Sequence, residues 1–547
     1  MIANVQELFL KRFLVISALV ILCAYGKQRP NIIFILADDL GWNDVGFHGS
    51  AQIPTPNLDA LAYSGIILNN YYVTPICTPS RSALMTGKHP IHTGMQHVVL
   101  YGAEPRGLPL SEKILPQYLN DLGYASHIVG KWHLGSYKKV YTPLYRGFLS
   151  HLGFWTGHQD YFDHTAMEKG MCGLDMRRNM DVAWDLSGQY CTDIFAKEAV
   201  KIIDNHNKTN PLFLYFAHAA VHSGNPYDPL PAPNDTVANF NYIKNSNRRR
   251  FAGMLKHLDD SVGEVIEALE RNEMLDNSIV IFSTDNGGPA AGFNINAASN
   301  WPLRGTKNTP WEGGVRGVGL VWSPLIAKPQ RVATQKIHIT DWLPTLLTAG
   351  GGSTSVLKSI DGIDLWNSLS HNKESPRIEV LHYIDDIEGV ASLSFGDWKI
   401  IKGTTYKGQW DSWYGPSGRK GYYYNITEIA ESPTGKVLIR QNNMPNAEKI
   451  RQLRSEAQLN CTSADSAKRI KCLPLNSPCL FNIAEDPCEE NNLASLYPNI
   501  LQWLEHALQK LNSTAVPPAN LPIDERGDPK YWNNTYTNFG DYISNIS

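Results

Sequence analysis

Short apolar segments that end in polar residues constrain the fold of this chain more than any other feature of its sequence. The segment "NIIFILADDLGWND" holds a continuous apolar run from Ile32 to Ala37, which is followed by Asp38 and Asp39. A run of this kind is typical of a strand that is buried on both faces, as in a parallel sheet. The chain is therefore expected to contain such a sheet.

Three later segments repeat this pattern. Strands are predicted in "ASHIVGKWHLG", "PLFLYFAHAAVHSG" and "NSIVIFSTDNGG", and the polar residues at their ends are Lys131, His133, His218, His222, Asp285 and Asn286. Helices are predicted over "TPNLDALAYSG", with Thr55 as the N-cap, over "LSEKILPQYLNDLGY", with Ser111 as the N-cap, and from Arg250 to about Met274. This alternation predicts an α/β domain with a largely parallel sheet.

The polar ends of these strands predict a single site, because open α/β sheets bind ligands outside the carboxyl ends of their strands. Asp38, Asp39, Asp285 and Asn286 are oxygen ligands, which suit Ca²⁺ or Mg²⁺ and disfavour zinc. Ca²⁺ is favoured because several protein oxygens can converge on it, whereas Mg²⁺ tends to keep its waters. For either segment alone, the alternative is helix capping and turn formation by Asp and Asn.

Basic side chains are expected to give this site its affinity for an anion. Lys131, His133, His222 and Lys307 add positive charge and proton carriers around the predicted cation. The chain as a whole has a net charge of -3, so attraction for an anionic substrate must be local to the site, and no nucleic-acid partner is predicted.

The N-terminus predicts entry into the secretory pathway. Lys11 and Arg12 precede an apolar run, residues 13–24, that is too short to span a bilayer comfortably and fits a signal peptide over residues 1–26. A buried N-terminal helix is the alternative, which the polar stretch with Pro30 disfavours. No later segment predicts membrane insertion. Glycosylation sequons begin at Asn207, Asn234, Asn425, Asn460, Asn512, Asn533 and Asn545.

The cysteines divide into one isolated residue and six that could pair. Without Cys23 of the signal peptide, seven cysteines remain, and Cys77 has no neighbouring cysteine in the sequence. Six cysteines allow 15 pairings, of which sequence proximity favours Cys172 with Cys191, Cys461 with Cys472 and Cys479 with Cys488. Cys77 itself could be half of a disulfide, a metal ligand or a small buried residue.

Several motifs resemble those of one enzyme family. The segment "CTPSRSALMTG", which begins at Cys77, resembles the signature of the type I sulfatases, and "GKWHLG" resembles their second signature. "ADD" and "STDNGG" are similar to the metal-binding strands of that family. The resemblance covers nearly the whole mature chain and is closest to the arylsulfatase B group, the N-acetylgalactosamine-4-sulfatases, through "NWPLRG", "WEGGVRGVG" and "HITDWLPTL".

The resemblance implies a modified residue and a metal. Cys77 would be oxidised to formylglycine by a formylglycine-generating enzyme, and its hydrate would attack sulfur with one hydroxyl and expel sulfate with the help of the other. Ca²⁺ would be held by residue 77 with Asp38, Asp39, Asp285 and Asn286. The implied substrates are sulfated glycosaminoglycan sugars and model aryl sulfates, and the implied location is the lysosome or the extracellular space.

The resemblance also implies a role for each remaining residue. Arg81 would hold the hydrate, Lys131 would bridge the hydrate and the sulfate, and His133 would assist sulfate release. His222 and Lys307 would bind sulfate and protonate the leaving oxygen, and Asp285 would also take the proton of the nucleophile. The departures from the family pattern lie outside this set: Leu149 replaces an expected Asp, and the segment 97–109 lacks expected cysteines.

The resemblance further implies an alkaline-phosphatase-like fold with a large, mostly parallel sheet and a smaller C-terminal domain. The catalytic domain is expected over residues 27–376, and an antiparallel sheet with a helix and a tail over residues 377–547. Within this C-terminal region, residues 407–458 are expected to form long loops. Two other functions stay open at this point: a phosphoester hydrolase of the same superfamily, and a catalytically inactive protein that binds sulfated glycans. The oligomeric state is not predicted.

Overall fold

The computed structural model describes residues 28–461 and 469–543. The predicted signal peptide and the sequon at Asn545 lie outside the described residues. No helix within these two ranges is both long and apolar enough to cross a bilayer.

The strands and helices are numbered here in chain order. The strands are β1 (Asn31–Ala37), β2 (Ile66–Leu68), β3 (Tyr71–Tyr72), β4 (Ala125–Lys131), β5 (Ser150–Phe154), β6 (Thr165–Glu168), β7 (Met171–Leu174), β8 (Arg177–Arg178), β9 (Asp181–Val182), β10 (Leu212–Ala217), β11 (Ser278–Thr284), β12 (Gly319–Trp322), β13 (Arg331–Ala333), β14 (Ile337–His338), β15 (Glu379–Asp385), β16 (Val390–Phe395), β17 (Trp398–Lys402) and β18 (Cys479–Asn482). The α-helices are α1 (Pro56–Ser64), α2 (Cys77–Thr86), α3 (Leu115–Asn120), α4 (Cys191–Asp204), α5 (Asn234–Ala238), α6 (Ser246–Arg271), α7 (Glu312–Val315), α8 (Trp342–Ala349), α9 (Trp366–His371), α10 (Ile426–Glu431), α11 (Pro433–Arg440), α12 (Ala447–Glu456) and α13 (Pro498–Asn512).

A ten-stranded sheet forms the centre of the molecule, with the strand order β13-β2-β12-β11-β1-β10-β4-β5-β8-β9. The five consecutive strands from β11 to β5 are parallel, and β12, β8 and β9 pair antiparallel with their neighbours. The predicted large, mostly parallel sheet is therefore confirmed. The four predicted site strands lie side by side, so their carboxyl ends meet at one edge.

Strand β1 alternates between two hydrophobic layers. Ile33 and Ile35 pack into the cluster that holds residues of α1, α4 and α6, whereas Phe34 and Leu36 pack into the cluster that holds residues of α2, α3 and α8. Every residue of β1 is buried, and each large aliphatic side chain contributes about 1.5–3 kcal/mol by its burial. This double burial fixes the strand that carries Asp38.

One predicted helix cap is confirmed in position and another is wrong. Thr55 is the N-cap residue of helix α1, as predicted, although its hydroxyl accepts a hydrogen bond from the Gly46 amide at 2.9 Å and not from the first turn of the helix. Helix α3 begins at Leu115 and not after Ser111, because Pro116 occupies the first turn, where its fixed φ and missing N–H fit best.

A second sheet, β15-β16-β17-β18, is antiparallel. Helix α13 packs on it through Leu504 and Leu508, which share a cluster with Leu393 and Ile400. The predicted small antiparallel sheet with a helix is thus confirmed, and its first strand begins at Glu379. The domain boundary at residue 376 stays a prediction.

The expectation of long loops over residues 407–458 is wrong. Helices α10, α11 and α12 lie in this segment and bury Ile429, Val437 and Leu453 in the cluster that also holds residues of α1 and α6. Each helix is too short to be stable alone, so its stability comes from this packing. Packing of that kind leaves only a weak periodicity in the sequence.

The predicted disulfide pairs are also wrong. Cys461 pairs with Cys488 and Cys472 pairs with Cys479, each with a Cα–Cα distance of 5.8 Å. Cys172 and Cys191 are free, with the first exposed in β7 and the second buried at the start of α4. Nearness in sequence misled here because pairing depends on the distance in the folded chain.

A buried ionic cluster joins the small antiparallel sheet to helix α7. The ammonium group of Lys399, on β17, lies 2.8 Å from Glu312 Oε1 and 2.8 Å from Glu489 Oε1. Glu312 also pairs with Arg316 at 3.2 Å and accepts a hydrogen bond from the Tyr72 hydroxyl at 3.2 Å. The side chains of Lys399, Glu312 and Glu489 are fully buried.

The segment that follows α13 packs against residues 91–94 and strand β7. The amides of Val516 and Ala519 donate to Ile91 O and Gly94 O at 2.8 and 2.9 Å, and the amide of Tyr536 donates to Leu174 O at 3.0 Å. The C-terminal end of the described chain therefore packs against the region between residues 91 and 174.

Candidate active site

Asp38 and Asp39 lie directly after β1, at the carboxyl edge of the large sheet. Both are fully buried. Asp39 has a φ of 63°, a left-handed conformation that Asp tolerates better than most residues. The backbone of Asp38 donates to Ala220 O at 3.0 Å and accepts from the Val221 amide at 2.7 Å, which joins this turn to the segment before His222.

Cys77 occupies the first turn of α2, where backbone N–H groups favour negative charge. Its side chain is buried, and Sγ lies 3.9 Å from Asp38 Oδ1. Burial raises the pKa of the Cys77 thiol to about 12, against the opposing effect of Lys131 and Lys307. The encoded residue is therefore a neutral thiol near pH 7.

Arg81 lies one turn further along α2 and is completely buried. Its Nε and Nη2 donate to Asp285 Oδ2 at 3.1 and 2.8 Å, and Nη2 lies 3.6 Å from Asp38 Oδ2. Burial opposes the charge of Arg81, but Asp285, Tyr215 and Asp38 together outweigh burial, so the pKa of the guanidinium rises. Arg81 thus joins the ends of β1 and β11.

Lys131 is the last residue of β4, and its ammonium group donates to Asp38 Oδ2 at 2.6 Å. The preceding Gly130 has a φ of +100°, and a Cβ there would lie 1.8 Å from Ala217 O of β10. Only glycine allows this approach, which explains the glycine of the "GKWHLG" motif.

Lys307 and Asn286 converge on Asp39. The Lys307 ammonium group lies 2.6 Å from Asp39 Oδ1, and Asn286 Nδ2 donates to the same oxygen at 2.7 Å. Burial opposes the charge of Lys307, but Asp39 and the neighbouring Asp38 and Asp285, together with Cys77, outweigh burial and raise its pKa. Asp285 Oδ1 accepts a hydrogen bond from the Asp39 amide at 3.3 Å, so Asp285 and Asn286 contact the same turn.

Two of the three predicted histidines lie at the site. His222 Nδ1 donates to Ser223 O at 2.7 Å, which leaves Nε2 3.5 Å from Asp39 Oδ2, and burial lowers the pKa of His222 to about 3. His133 donates to Leu100 O through Nε2 at 2.9 Å, and burial lowers its pKa well below the usual value. His218 is not part of this group, because its Nε2 bonds Ser261 Oγ at 3.0 Å in the core.

The residues present fit a hard divalent cation. Ligand atoms of Asp38, Asp39, Cys77 and His222 lie within 4.8 Å of one another. Asp39 Oδ2 and Asn286 Oδ1 are buried without a hydrogen-bond partner, although such acceptors are normally satisfied. A bound cation would take both oxygens as ligands. Burial, followed by the repulsion of Asp38, raises the pKa of Asp285, and a cation would offset both effects.

Two side chains that the sequence did not single out also lie at this site. The ring of His158 stacks on His222 with centroids 5.7 Å apart. Glu168 is buried behind His133 and accepts hydrogen bonds from the amides of Gly102 at 2.6 Å and Gly157 at 2.9 Å. Neither residue ends a central strand, so the pattern that located the other side chains could not find them.

The charges of the site are balanced without a metal, since three carboxylates (Asp38, Asp39 and Asp285) face three cations (Arg81, Lys131 and Lys307). A bound divalent cation would add two positive charges in a buried cavity, where electrostatic attraction is strong. The fold and the site therefore define a buried charged centre that could hold a divalent cation beside an anionic ligand.

Comparison with known proteins identifies the family. The sulfatase family matches residues 30–352, and the chain belongs to it. Mouse arylsulfatase J is 41% identical over 513 residues, which cover 92% of this chain and 79% of the relative. Human N-acetylgalactosamine-6-sulfatase is 32% identical over 390 residues, which cover 67% of this chain and 70% of the relative.

A similar solved structure is Ps i-CgsB in complex with k-i-k-neocarrahexaose, with a TM-score of 0.69 and 27% identity over 92% of this chain and 97% of that one. The chain is thus a sulfatase, a hydrolase of sulfuric esters, and the predicted family is confirmed. Family membership favours this activity over a phosphoester hydrolase or an inactive glycan-binding protein. The relatives named here support glycosaminoglycan-type sulfatases in general, so specificity for a 4-sulfate stays a prediction.

Proposed function

We propose that this sulfatase carries formylglycine at position 77, binds one Ca²⁺ and hydrolyses sulfate esters of glycosaminoglycan sugars. The observation that carries the proposal is the closed group of three carboxylates and three cations around Cys77, with two buried oxygens left unpaired. Asp38, Asp39, Asp285 and Asn286 would hold Ca²⁺ together with residue 77, and the ion would offset charge on the sulfuryl oxygens.

The modification of Cys77 is supported by the weakness of the encoded thiol. A buried, neutral thiol is a poor nucleophile, and a cysteine ester of sulfate has no group that could release the sulfate without attack by water. The hydrated aldehyde supplies two hydroxyls on one carbon, one to attack sulfur and one whose proton loss expels sulfate. A formylglycine-generating enzyme is therefore the partner proposed for maturation.

Five side chains are assigned to orienting residue 77, binding sulfate and transferring protons. Arg81 and Lys131 orient residue 77, because both are buried and fixed by Asp285 and Asp38. Lys307 remains charged and is placed to bind a sulfuryl oxygen. His222 presents Nε2 to the site; the negative charge of a bound sulfate ester would favour protonation of Nε2 from solvent, and that proton would then pass to the leaving oxygen, while His133 assists sulfate release. Such preorganised donors typically supply the largest part of the rate enhancement.

The substrate class rests on the relatives. N-acetylgalactosamine-6-sulfatase is named for a sulfated amino sugar, and Ps i-CgsB was solved with neocarrahexaose. We propose an N-acetylgalactosamine-4-sulfate-like sugar in this chain, reached in the lysosome or outside the cell after secretory entry. Aryl sulfates would serve as model substrates.

Mass spectrometry tests the first part of the proposal. Protein from a eukaryotic secretory host should contain formylglycine in the peptide that spans Cys77, and an unmodified thiol throughout would refute it. Metal analysis should find one Ca²⁺ per chain. A panel of 4- and 6-sulfated saccharides, measured from acidic to neutral pH, should show preference for the 4-sulfates, and preference for the 6-sulfates would refute the specificity while leaving the chemistry intact.

A further inference from the structure

A large cavity lies outside the catalytic group. It has a volume of about 1690 Å³ and is formed by residues 51–59, 239–248, 290–299 and 413–433, with smaller contributions from α6 and α11. We call it the tyrosine groove, since Tyr242, Tyr422 and Tyr423 line it. None of the residues assigned to sulfate chemistry lines it.

We propose that the tyrosine groove binds the non-reacting sugars of a sulfated polysaccharide whose reacting sugar occupies the active site. This inference rests on the proposed function and extends it, because it makes an oligosaccharide of several sugars the preferred substrate. The ring faces, the fixed polar groups, two free ammonium groups and the position of the groove all support it.

The aromatic wall of the groove is preformed. The Tyr242 hydroxyl donates to Gln52 O at 2.9 Å, and Gln52 Nε2 donates to the Tyr422 hydroxyl at 3.1 Å. The two rings are 6.0 Å apart at an angle of 60°. Arg248 Nε donates to Gln52 Oε1 at 2.9 Å, which fixes this side chain from behind. Rings held in this way lose little conformational entropy when a ligand packs on them.

Two tyrosine side chains of the groove, Tyr423 and Tyr242, are strongly exposed. Tyr423 is 84% exposed and Tyr242 is 50% exposed. Pyranose rings present C–H groups on one face and hydroxyls at the edge, so they pack well on a tyrosine ring while amide side chains bond their hydroxyls. The groove supplies such amides from Asn247 and Asn239. This combination fits a saccharide better than a purely apolar ligand.

Two ammonium groups of the groove are free to meet anionic groups of a saccharide. Lys244 and Lys420 line it and are exposed, and neither has an ion-pair partner within 4.0 Å among residues 28–461 and 469–543. The exposed carboxylates of Glu428 and Glu431 also line the groove, so its charge is mixed and not uniformly positive. Lys244 and Lys420 would therefore meet sulfate or carboxylate groups at particular positions along the ligand.

One loop separates the groove from the active site. Asn296 lines the groove, and its Nδ2 donates to Val221 O at 2.9 Å and Ser223 Oγ at 3.1 Å, on either side of His222. Phe293, on the same loop, contacts the ring of Tyr406 with centroids 5.4 Å apart. A saccharide that leaves the active site over this loop would therefore enter the groove.

Chain-length dependence of the rate tests the proposal. With a series of chondroitin sulfate oligosaccharides, wild-type kcat/KM should rise from the disaccharide to the decasaccharide. The double variant Tyr242→Ala, Tyr423→Ala should lose about tenfold in kcat/KM for the decasaccharide through KM, since the contacts are equal in ground and transition states. Hydrolysis of an aryl sulfate should not change.

One control variant and two further measurements make the result specific. Tyr145→Ala removes a ring of similar exposure, 48%, outside the groove and should change neither substrate's kinetics. Lys244→Ala with Lys420→Ala should weaken decasaccharide binding and flatten its dependence on salt. Equilibrium binding of the decasaccharide by calorimetry measures the groove independently of turnover, so failure of the proposed catalytic chemistry would not hide the result.

Several outcomes would overturn the inference. Equal kcat/KM for short and long oligosaccharides, or decasaccharide binding that the tyrosine variant retains, would remove the groove from substrate recognition. The sequon at Asn425 lies on the rim of the groove, so the chain's own glycan is the competing occupant. If Thr427→Ala, which removes the sequon, creates decasaccharide binding that Thr427→Ser lacks, the groove belongs to that glycan and the proposal is wrong.

Discussion

Replacement of Lys399 by methionine should destabilise the protein by uncovering two buried carboxylates. Methionine keeps most of the volume of the side chain but removes the ammonium group that lies 2.8 Å from both Glu312 and Glu489. Glu312 retains Arg316 at 3.2 Å, whereas Glu489 retains only its hydrogen bond from the Glu312 amide at 2.8 Å. The loss therefore falls mainly on Glu489.

The magnitude follows from these contacts. At 2.8 Å and an effective dielectric constant of about 20, each pair attracts by about 6 kcal/mol, which the desolvation of three charged groups largely offsets. Removal of one partner from a buried pair costs about 3–5 kcal/mol. With an unfolding entropy of about 2.1 cal/mol/K per residue, a chain of 547 residues that unfolds as one unit would lose about 3–4 °C in Tm.

This loss should depend on pH in a defined direction. Burial raises the pKa of Glu489 from 4.5 to about 7, so the folded state binds the proton more tightly than the unfolded state. Ionisation of Glu489 therefore reduces stability as the pH rises from about 4.5 to 7. Without Lys399 this pKa should rise further, so the Tm deficit should be larger at pH 7.5 than at pH 5.

Thermal unfolding of the two proteins at pH 5 and pH 7.5, followed by circular dichroism, measures the effect. Lys402→Met is the matched control, because Lys402 is on the same strand but exposed, and it should leave Tm unchanged. A Lys399→Met variant within 1 °C of wild type at pH 7.5, or a deficit that grows at pH 5, would refute this account of the cluster.

Three further predictions concern the active site. Asp38→Ala should lose bound Ca²⁺ and activity while circular dichroism shows most of the fold intact, and full activity would remove the metal assignment. Lys307→Ala and His222→Ala should each lower kcat by about 10²–10³ in aryl sulfate hydrolysis, and a near wild-type kcat would take that residue out of the reaction. Cys77→Ser should release about one alcohol per enzyme and accumulate sulfated protein, visible by intact mass, since the serine ester has no second hydroxyl to expel sulfate; continued turnover would contradict the hydrate mechanism.

The central sheet and its site could be predicted because their signals are local. A strand buried on both faces is an unbroken apolar run, and the residue that follows it must lie at the sheet edge, as Asp38 and Asp285 do. The motif around Cys77 adds a signal of the same kind, since its helix begins at that residue. No contact between distant parts of the chain had to be known.

Features that depend on distant contacts could not be predicted. In the sequence, Lys399 is an ordinary lysine of an alternating strand. Only the folded structure places its ammonium group between Glu312 and Glu489. Cys461 and Cys488 pair across 27 residues, past two cysteines that lie nearer in sequence to one or the other. His158 joins the site only because its loop folds over His222.

The burial of Cys77 would set a time limit on its proposed modification. A modifying enzyme cannot reach a side chain that is 2% exposed beneath its neighbours, so conversion must precede closure of the sheet edge. That closure needs Asp285, which is synthesised 208 residues after Cys77. At about 5–20 residues per second, the ribosome leaves an interval of roughly 10–40 s during which the motif has emerged and its enclosure is incomplete. The distance in sequence between Cys77 and Asp285 would thus set the time available for the proposed modification.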